Sequence, residues 1–501
     1  MLARLLIVFV LLAIVLIAPF ALRPDQADTA LAAQERERLV IITPHNESIQ
    51  AEFGRAFADH MLEEHQLRVF VDWRQPGGTS QIALFLRSEY ATRFGNLWKV
   101  RTARPYDPVV RNGFQNPRLD SAVAEATKQG WVHDLTLLDG DSPGKRAVIA
   151  RNLFLNADIG VGIDLFFGGG AYDFARQASA GNLIAIDATE RYGPAALARE
   201  RPEWFSEAIM PASVSGEPFR DDDFRWVGTV LSAFGIVYNT DVLTRLGIET
   251  IPNQWDDLGD PRLAGQVALA DPTKSGSTTK AFEMLIQEQI QRLAESGELS
   301  EEEAIRAGWD AAMALILRIS ANSRYFTDSA AKVPRDVALG DAAAGMCIDF
   351  YGRTFNELFR EGGRESQVEF VMPQAGTSIG ADPIAMLRGA PHPELAHRFI
   401  EFVLSPGGQK LWNFQVGTDG GPERYALRRP PIRKDFYTEP NRAQMTDPEV
   451  NPYELAEGFT YHPEWTGALF GSLRFLIRAT CMDPHDEQQA AWQAIIAAGM
   501  P

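Results

Sequence analysis

Cysteine and histidine are scarce in this chain, which has two cysteines and eight histidines among 501 residues. No cluster of Cys and His has the spacing of zinc ligands, so the sequence argues against a zinc protein. A Gly-x-Ser-x-Gly elbow, an HExxH helix and a Walker-type loop are also missing, and the run Gly77-Gly78-Thr79-Ser80 lacks the lysine that a P-loop requires. We therefore predict that the protein is not an enzyme and uses no cofactor.

Positive charge is also in short supply, since 48 Lys and Arg stand against 66 Asp and Glu and the formal net charge is −18. Nucleic acids and anionic membrane surfaces attract basic proteins, so neither is an expected partner.

Long hydrophobic runs are limited to one, Leu5–Leu22, which follows Arg4. The remaining body of roughly 470 residues has no second run that could span a membrane.

This N-terminal run predicts export. Its 18 residues exceed the roughly 7–15 of an ordinary signal-peptide core and approach the roughly 20 of a spanning helix. Ala30-Leu31-Ala32 supplies a small-x-small cleavage pattern. Residues 1–32 are therefore predicted to be a signal peptide or an N-terminal membrane anchor. Both alternatives place the body in the periplasm or another extracytoplasmic space, soluble or anchored, with membrane contact only through this segment.

The two cysteines leave two alternatives in an exported chain, one disulfide or two free thiols. Cys347 lies in the apolar run Gly345–Ile348, which predicts a buried strand. Burial of that strand favours free, buried thiols at Cys347 and Cys481.

The length of the body predicts two lobes, because a single hydrophobic core stops growing at about 250–300 residues. Residues 39–43 form a short β-branched run followed by a loop and an amphipathic helix, and a second such unit starts at Val69. Successive strand-loop-helix units predict a parallel sheet, whose ligands lie at the carboxyl ends of the strands. The α/β pattern resumes at 158–167 and again from Phe234.

Six segments, in this order and spacing, carry a family pattern. They are Thr43–Asn46, Gly77–Ser80, Asp164–Gly170, Phe234–Asn239, Asp271–Gly276 and the stretch Ala381–Gln409. The chain resembles the extracytoplasmic solute-binding proteins of ABC importers, in the type II branch of ferric-iron, phosphonate and polyamine receptors. The resemblance implies an α/β fold with two α/β lobes that are joined by two hinge strands and close over a ligand.

The predicted boundaries follow from this pattern, with crossings between the lobes near Phe234 and Ile379. The first lobe is predicted to be 38–233 with an insertion at about 90–150, the second lobe 234–378, the return to the first lobe 379–430, and a C-terminal extension 431–501. The insertion and the extension make the chain longer than the usual family pattern.

Short polar residues stand directly before predicted helices in three loops. Helix starts expose unpaired N–H groups at the positive end of the helix dipole, which favours an anion such as a carboxylate, phosphonate or phosphate. The alternative is that these residues only cap their helices, since Ser, Thr and Asn are preferred N-caps. The predicted ligand-binding residues are Thr43, His45, Asn46, Gly78, Thr79, Ser80 and Gly169 in the first lobe, and Ser275, Ser277, Thr278, Asn322, Asp349 and Tyr351 in the second.

A metal site is not predicted. The ferric branch that the chain resembles carries an adjacent tyrosine pair, whereas this chain has Asp349-Phe350-Tyr351. Hard Fe(III) requires several anionic oxygens, and the best set that the sequence offers is His45, Glu47, Asp349 and Tyr351.

The predicted function is that of the extracytoplasmic receptor of an ABC importer, which closes on a small polar ligand and presents it to a membrane permease. A small anion such as a phosphonate or organophosphate is the favoured ligand. Three alternatives stay open at this point, namely a ferric-iron transport protein, a ligand-binding sensory ectodomain and, least favoured, a secreted hydrolase.

Overall fold

A computed structural model describes residues 36–140, 142–184, 191–360 and 366–499. The predicted signal peptide or membrane anchor, residues 1–32, lies outside these described residues. Within the described ranges, no helix combines the length and the apolar character needed to cross a membrane.

The strands are short, as is usual for buried α/β sheets. In chain order they are β1 Glu37–Ile42, β2 Val69–Arg74, β3 Leu165–Phe167, β4 Ser213–Val214, β5 Glu217–Pro218, β6 Val227–Ser232, β7 Phe234–Asn239, β8 Val267–Ala270, β9 Ser323–Thr327, β10 Ala344–Ile348, β11 Val368–Val371 and β12 Gly380–Met386.

Helices follow most of these strands, with short 3₁₀ turns between some of them. The α-helices are α1 Glu47–His65, α2 Thr79–Thr102, α3 Pro108–Gly113, α4 Asp120–Lys128, α5 Pro143–Leu155, α6 Ala171–Ala180, α7 Pro194–Glu200, α8 Thr240–Arg245, α9 Gly276–Glu295, α10 Glu301–Asn322, α11 Lys332–Ala338, α12 Asp349–Arg360, α13 Pro393–Leu404, α14 Pro406–Asn413, α15 Glu439–Arg442, α16 Pro452–Leu455, α17 Pro463–Thr466, α18 Phe470–Ile477 and α19 His485–Ala497.

The first sheet has the strand order β2-β1-β3-β12-β6. Strands β1, β2 and β3 run parallel, and β12 is antiparallel to both β3 and β6. The side chains of β1 and β3 are buried on both faces, which explains their continuous runs of Ile, Val, Leu and Phe. The parallel part brings the carboxyl ends of three strands, and therefore the starts of α1, α2 and α6, to one edge of the sheet.

The second sheet has the order β11-β7-β10-β8-β9. Strand β8 runs parallel to β9 and β10, while β7 is antiparallel to β10 and β11. Its core is separate from that of the first sheet and includes Trp255, Phe282 and Ile316. The α/β fold with two sheet-centred lobes that the sequence predicts is therefore present.

Two strand-to-strand passages connect the sheets. The chain leaves the first sheet at the end of β6, and Phe234 is the first residue of β7 in the second sheet. It returns after β11, and Ile379 directly precedes β12. The C-terminal segment adds a third passage, because Ala456 packs in the core of the first lobe and Phe459 in that of the second. The segment beyond residue 430 is thus built into both lobes.

The region at 90–150 does not begin as a separate unit at residue 90. Helix α2 runs without a break from Thr79 to Thr102, and Tyr90, Phe94 and Trp98 are fully buried in the first lobe. Arg151 ties α5 to this lobe, since its guanidinium donates to Asp120 Oδ1 at 2.8 Å and to the carbonyl of Ala180 at 2.6 Å. Helix α2 therefore crosses the predicted start of the insertion, and its buried aromatic residues belong to the core of the first lobe.

Both cysteines are free and buried, Cys347 in β10 and Cys481 after α18. This confirms the prediction of free, buried thiols. Burial raises the pKa of the Cys347 thiol well above its ordinary value, so this cysteine is an inert core residue.

Glu288 on α9 gives the fold a specific pH dependence. Burial against the second passage raises its pKa to about 7, although Arg292 Nη2 donates to its Oε1 at 2.8 Å. The native state then holds a proton that the unfolded state has already released, so the free energy of unfolding falls as pH rises between about 4.5 and 7. We expect the difference in the free energy of unfolding between pH 5 and pH 8, measured by urea titration, to be about 2–3 kcal/mol smaller in Glu288→Gln than in the wild type. An unchanged difference between the two pH values in the variant would show that another group carries it.

Candidate ligand-binding site

A cavity of about 790 Å³ lies between the two sheets and is lined by both lobes and by the C-terminal segment. Residues from the ends of β1, β2 and β3 line it on one side, and residues that follow β8 and β10 line it on the other. Eight of the predicted ligand-binding residues line this cavity. They are His45, Asn46, Gly78, Thr79, Gly169, Ser275, Ser277 and Tyr351.

Several helices begin at the cavity, and four of them start from loops that directly follow a strand of one of the two sheets. Helices α1, α2 and α6 start there from the first lobe, and α9 starts there from the second. Asn46 and Ser275 cap α1 and α9, since their side-chain oxygens accept from the N–H of Ile49 at 3.1 Å and of Thr278 at 3.3 Å. Asn46 and Ser275 therefore both cap a helix and line the cavity. The first-turn N–H groups that remain unpaired give the cavity a positive electrostatic potential.

The glycines after β3 are required because side chains of neighbouring loops pack directly against them. Gly168 and Gly169 have φ values of +91° and +116°, which side chains of L-residues rarely adopt. A Cβ on Gly168 would lie 2.4 Å from the imidazole of His45, and one on Gly169 would lie 2.6 Å from Thr79. The turn thus lets three loops of the first lobe pack directly against one another around the cavity.

The two lobes also contact each other directly beside the cavity. A Cβ added to Gly78 in the first lobe would lie 2.7 Å from the carbonyl oxygen of Lys274 in the second. The described conformation is therefore one in which the loops after β2 and β8 are in close contact.

Arg429 is the central cation of the site. Its guanidinium is 1% exposed, and Nη1 lies 2.7 Å from Asp382 Oδ2 and 3.4 Å from His45 Nε2. The guanidinium also lies 4.6 Å from the ring centroid of Phe350 and 5.6 Å from that of Trp412. Arg429 is thus held by the first lobe through Asp382 and covered by the second lobe through Phe350.

Part of the hydrogen-bonding capacity of Arg429 is unused by the described residues. Its Nε and Nη2 groups are buried and have no hydrogen-bond partner among them, and the same holds for Nδ1 of His45. Buried N–H groups of a cation are rarely left unpaired, because each unmade bond costs about 1–3 kcal/mol. Nε and Nη2 of Arg429 therefore retain the capacity to donate to an acceptor outside the described chain.

The charge states at this cluster follow from burial and pairing. Burial opposes ionisation of Asp382, but Arg429 and His45 outweigh it and lower the pKa of Asp382 to about 2. Burial, with the nearby charge of Arg429, lowers the pKa of His45 despite its hydrogen bond to Asp382. At neutral pH the cluster therefore contains an ionised Asp382, a neutral His45 and the Arg429 cation.

Aromatic side chains form much of the remaining wall. Phe350 and Tyr351 come from the start of α12, and Tyr461 and Phe470 come from the C-terminal segment. Burial raises the pKa of the Tyr351 phenol to about 12, although the Arg429 charge acts in the opposite direction. Tyr351 is therefore a neutral hydrogen-bonding group beside Arg429, suited to the non-ionic part of a ligand.

A second charged cluster borders the cavity at Lys280 on α9. Its ammonium lies 2.6 Å from Glu217 Oε1 and 2.9 Å from Glu283 Oε2. Tyr461 donates to Glu283 Oε1 at 3.0 Å, and Ser378 donates to Glu217 Oε1 at 2.5 Å. Burial disfavours the ammonium, but the two carboxylates raise the pKa of Lys280 above its ordinary value. Both carboxylates are thus already engaged by donors of the protein.

Residues 156–418, just over half of the chain, match the family described as bacterial extracellular solute-binding proteins. The chain belongs to this family. The match starts before β3 and ends in the return to the first lobe, so it includes the second sheet and most of the cavity loops.

Relatives of this solute-binding protein include proteins that are named for a transported or bound solute. The phosphoglycerate transport regulatory protein PgtC of Salmonella typhimurium is 26% identical over 207 residues, 41% of this chain and 43% of PgtC. A putrescine/cadaverine-binding protein of Pseudomonas aeruginosa is 26% identical over 196 residues, 38% of this chain and 50% of the relative. The chain spans about half the length of the relatives it matches.

The fold agrees with solved periplasmic binding proteins. The structure of AfuA from Actinobacillus pleuropneumoniae with fructose-6-phosphate bound aligns with a TM-score of 0.53 at 17% identity, over 89% of this chain and 98% of AfuA. This similarity shows that the solute-binding protein has the two-lobed, type II periplasmic-binding fold.

Five predicted site residues do not line the cavity. Thr43 is buried, and its Oγ1 accepts from the His45 N–H at 3.0 Å, so it shapes the loop. Ser80 is buried against Arg474. Thr278 is buried one turn into α9, where its N–H bonds to the Ser275 cap.

Asn322 and Asp349 also lie outside the cavity lining. Asn322 ends α10 and precedes β9, so it lies at the amino edge of the second sheet, where its Nδ2 donates to the carbonyl of Leu258 at 2.9 Å. Asp349 is the first residue of α12, and its Oδ2 accepts from Arg353 Nη2 at 2.6 Å. Both side chains serve the fold of the second lobe.

The candidate metal set does not assemble. Asp349 is bound to Arg353, and His45 contacts Asp382 and Arg429. Across the described ranges, no group of three or more His, Cys, Asp and Glu side chains is arranged to hold a metal ion. The donor set at the cavity therefore does not fit a ferric ion held by His45, Glu47, Asp349 and Tyr351.

The main residues missed by sequence reasoning are Arg429, Asp382, Lys280 and Tyr461. Lys280 could have been found from the sequence, since it lies two residues beyond the predicted Thr278 on the same helix. Asp382 stands in one of the family segments, Ala381–Gln409. Arg429 and Tyr461 reach the cavity from distant parts of the chain and carry no local motif.

Proposed function

We propose that this protein is the extracytoplasmic receptor of an ABC importer for a phosphorylated small organic anion, which binds in the cavity between the lobes. Closure on the ligand prepares the complex for recognition by the membrane permease. Residues 1–32 direct the chain to the extracytoplasmic side, as a cleaved signal or as an anchor. The protein performs no chemistry on its ligand.

The unpaired donors of Arg429 carry this proposal. A guanidinium with free Nε and Nη2 presents two parallel N–H groups, the arrangement that binds carboxylate or phosphate oxygens in pairs. Nη1 is occupied by Asp382, which fixes the orientation of the fork. The N-termini of four helices add a field of the same sign around this position.

The size and the walls of the cavity indicate an anion that carries an organic part. A volume of about 790 Å³ lies within the roughly 300–1,000 Å³ range of small-molecule sites and exceeds the needs of inorganic phosphate. The aromatic wall of Phe350, Tyr351, Tyr461 and Phe470 suits a sugar or a short carbon chain. The names of PgtC and of AfuA with fructose-6-phosphate support this ligand class.

A polyamine is the weaker candidate, although one relative is named for putrescine and cadaverine. A diamine requires free carboxylates, and the carboxylates of this cavity are already paired. Asp382 is bound by Arg429, and Glu217 and Glu283 are bound by Lys280. A diamine would have to displace one of these cations, which are covalently part of the protein.

A thermal-shift panel tests the proposed ligand class. The compounds are 3-phosphoglycerate, fructose 6-phosphate, 2-aminoethylphosphonate, putrescine and ferric citrate, each at several concentrations so that the shift can be fitted to a Kd. We expect at least one phosphorylated compound to raise the melting temperature and fructose and glycerate to have no effect. Stabilisation by putrescine or ferric citrate alone would overturn the proposal.

A further inference from the structure

The part of the C-terminal segment from residue 459 onwards is anchored to the second lobe. Leu473, Ile477 and Cys481 are buried in the core of that lobe. Trp492 Nε1 donates to Asn322 Oδ1 at 2.7 Å, and Gln489 Nε2 donates to the carbonyl of Ser323 at 2.6 Å. Helix α18 must therefore move with the second lobe when the lobes open.

One side chain of α18 reaches across to the first lobe. Arg474 is 8% exposed, and its Nη1 donates to Ser80 Oγ while its Nη2 lies 3.4 Å from Asp173 Oδ2. Ser80 lies at the start of α2 and Asp173 at the start of α6, the helices that also bring their N-termini to the cavity. Phe470, one turn before Arg474, lies 4.6 Å from Tyr172 of the first lobe, measured between ring centroids.

We propose that Arg474 is a positioning residue that latches the two lobes in the closed state through Ser80 and Asp173. The latch lies beside the cavity and joins two bodies whose covalent connections are the β6–β7, β11–β12 and 456–459 passages. Opening of the cleft separates Arg474 from both partners, so the contact exists only when the lobes are together. The inference rests on the proposed function only in requiring a receptor that opens and closes.

The electrostatic setting supports this role. Burial raises the pKa of Asp173, and the charge of Arg474 opposes that rise. Nε of Arg474 has no partner among the described residues, so the side chain is held by its two contacts with the first lobe. When the cleft opens, both charges return to water, which makes the latch weak enough to be reversible.

The consequence for binding follows from population shift. The apparent Kd equals the intrinsic Kd divided by the closed fraction, so weakening the latch raises the apparent Kd without removing a ligand contact. We expect Arg474→Ala to raise the apparent Kd for 3-phosphoglycerate or fructose 6-phosphate by roughly 10-fold, a typical effect of losing one charge-assisted contact.

The deciding experiment measures the distance between the lobes without any ligand. Spin labels are placed on Lys99→Cys in the first lobe and Glu298→Cys in the second; both positions are exposed, whereas native Cys347 and Cys481 are buried. Arg474→Ala and Asp173→Asn should each shift the distribution towards longer distances, and the double variant should shift it no further. Arg474→Lys should give an intermediate shift and serves as the readout if Arg474→Ala does not fold.

The matched control is Arg478→Ala, one turn further along the chain. Arg478 is half-exposed and pairs with Asp483 within the C-terminal segment at 3.6 Å, so its loss should leave the distance distribution unchanged. Identical distributions for the Arg474 and Arg478 variants would overturn the latch. A shifted distribution for Arg474→Ala, with no phosphorylated compound bound by the wild type, would support the latch and contradict only the proposed ligand class.

Discussion

Arg429→Gln is expected to weaken binding of a phosphorylated ligand by roughly 100-fold or more, because a charge-paired group buried at the centre of a site contributes about 2–5 kcal/mol. The variant removes the cation and the two N–H groups that have no partner in the described residues. Isothermal titration of the wild type and the variant with the best compound of the panel gives the two Kd values.

Loss of stability has to be separated from loss of binding in this test. Arg429→Gln leaves the partly buried carboxylate of Asp382 without its arginine partner, so the variant is also expected to unfold at a lower temperature. Arg433→Gln is the matched control, since Arg433 is also a buried arginine and pairs with Asp435 at 2.7 Å, away from the cavity. If both variants are folded at the temperature of titration and bind with equal affinity, Arg429 is not the anion anchor.

Lys280→Met is expected to lower the free energy of unfolding by about 3–5 kcal/mol at pH 8, because it leaves a buried ion-pair network without its cation. Glu217 and Glu283 are 4% and 0% exposed and would face each other across the site of the lost ammonium. Urea denaturation at fixed pH measures the loss.

An exposed lysine provides the matched control for Lys280→Met. Lys332→Met, which breaks the exposed pair with Asp328, should change stability by less than about 1 kcal/mol. A variant at Lys280 that behaves like Lys332→Met would show that the cluster is not a cohesive network.

The sheet-centred lobes were predictable because their strands carry strong local signals. Residues 39–43 and 69–73 are β-branched or aromatic runs with polar loops behind them, and β1 and β2 begin and end within about two residues of these runs. Strand β9, Ser323–Thr327, was missed because its polar and exposed residues lack strand periodicity. Its pairing with β8 depends on tertiary contacts.

Site residues were predictable where polar residues or glycines directly follow a strand. His45, Asn46, Gly78, Thr79 and Ser275 follow β1, β2 and β8, and the parallel topology brings such loops together. Asn322 was misplaced because the sequence does not show that α10 ends where a new strand begins, which puts this residue at the other edge of the sheet.

Arg429 and Arg474 could not be predicted, since their roles come from long-range packing. The segment that precedes Arg429 is held by the distant Glu52, whose carboxylate accepts from the N–H groups of Glu423, Arg424 and Tyr425 at 2.7–2.9 Å. Arg474 reaches the first lobe only because α18 docks on the second. Neither relationship leaves a spacing pattern in the sequence.

The most direct test of the proposed function is a crystal structure of the protein with the most stabilising phosphorylated compound of the panel. We expect phosphate oxygens to lie within hydrogen-bonding distance of Nε and Nη2 of Arg429 and of first-turn N–H groups of the helices at the cavity. The organic part should lie against Phe350, Tyr351 or Tyr461. A phosphate bound away from Arg429, or a ligand ammonium paired with Asp382, would contradict it.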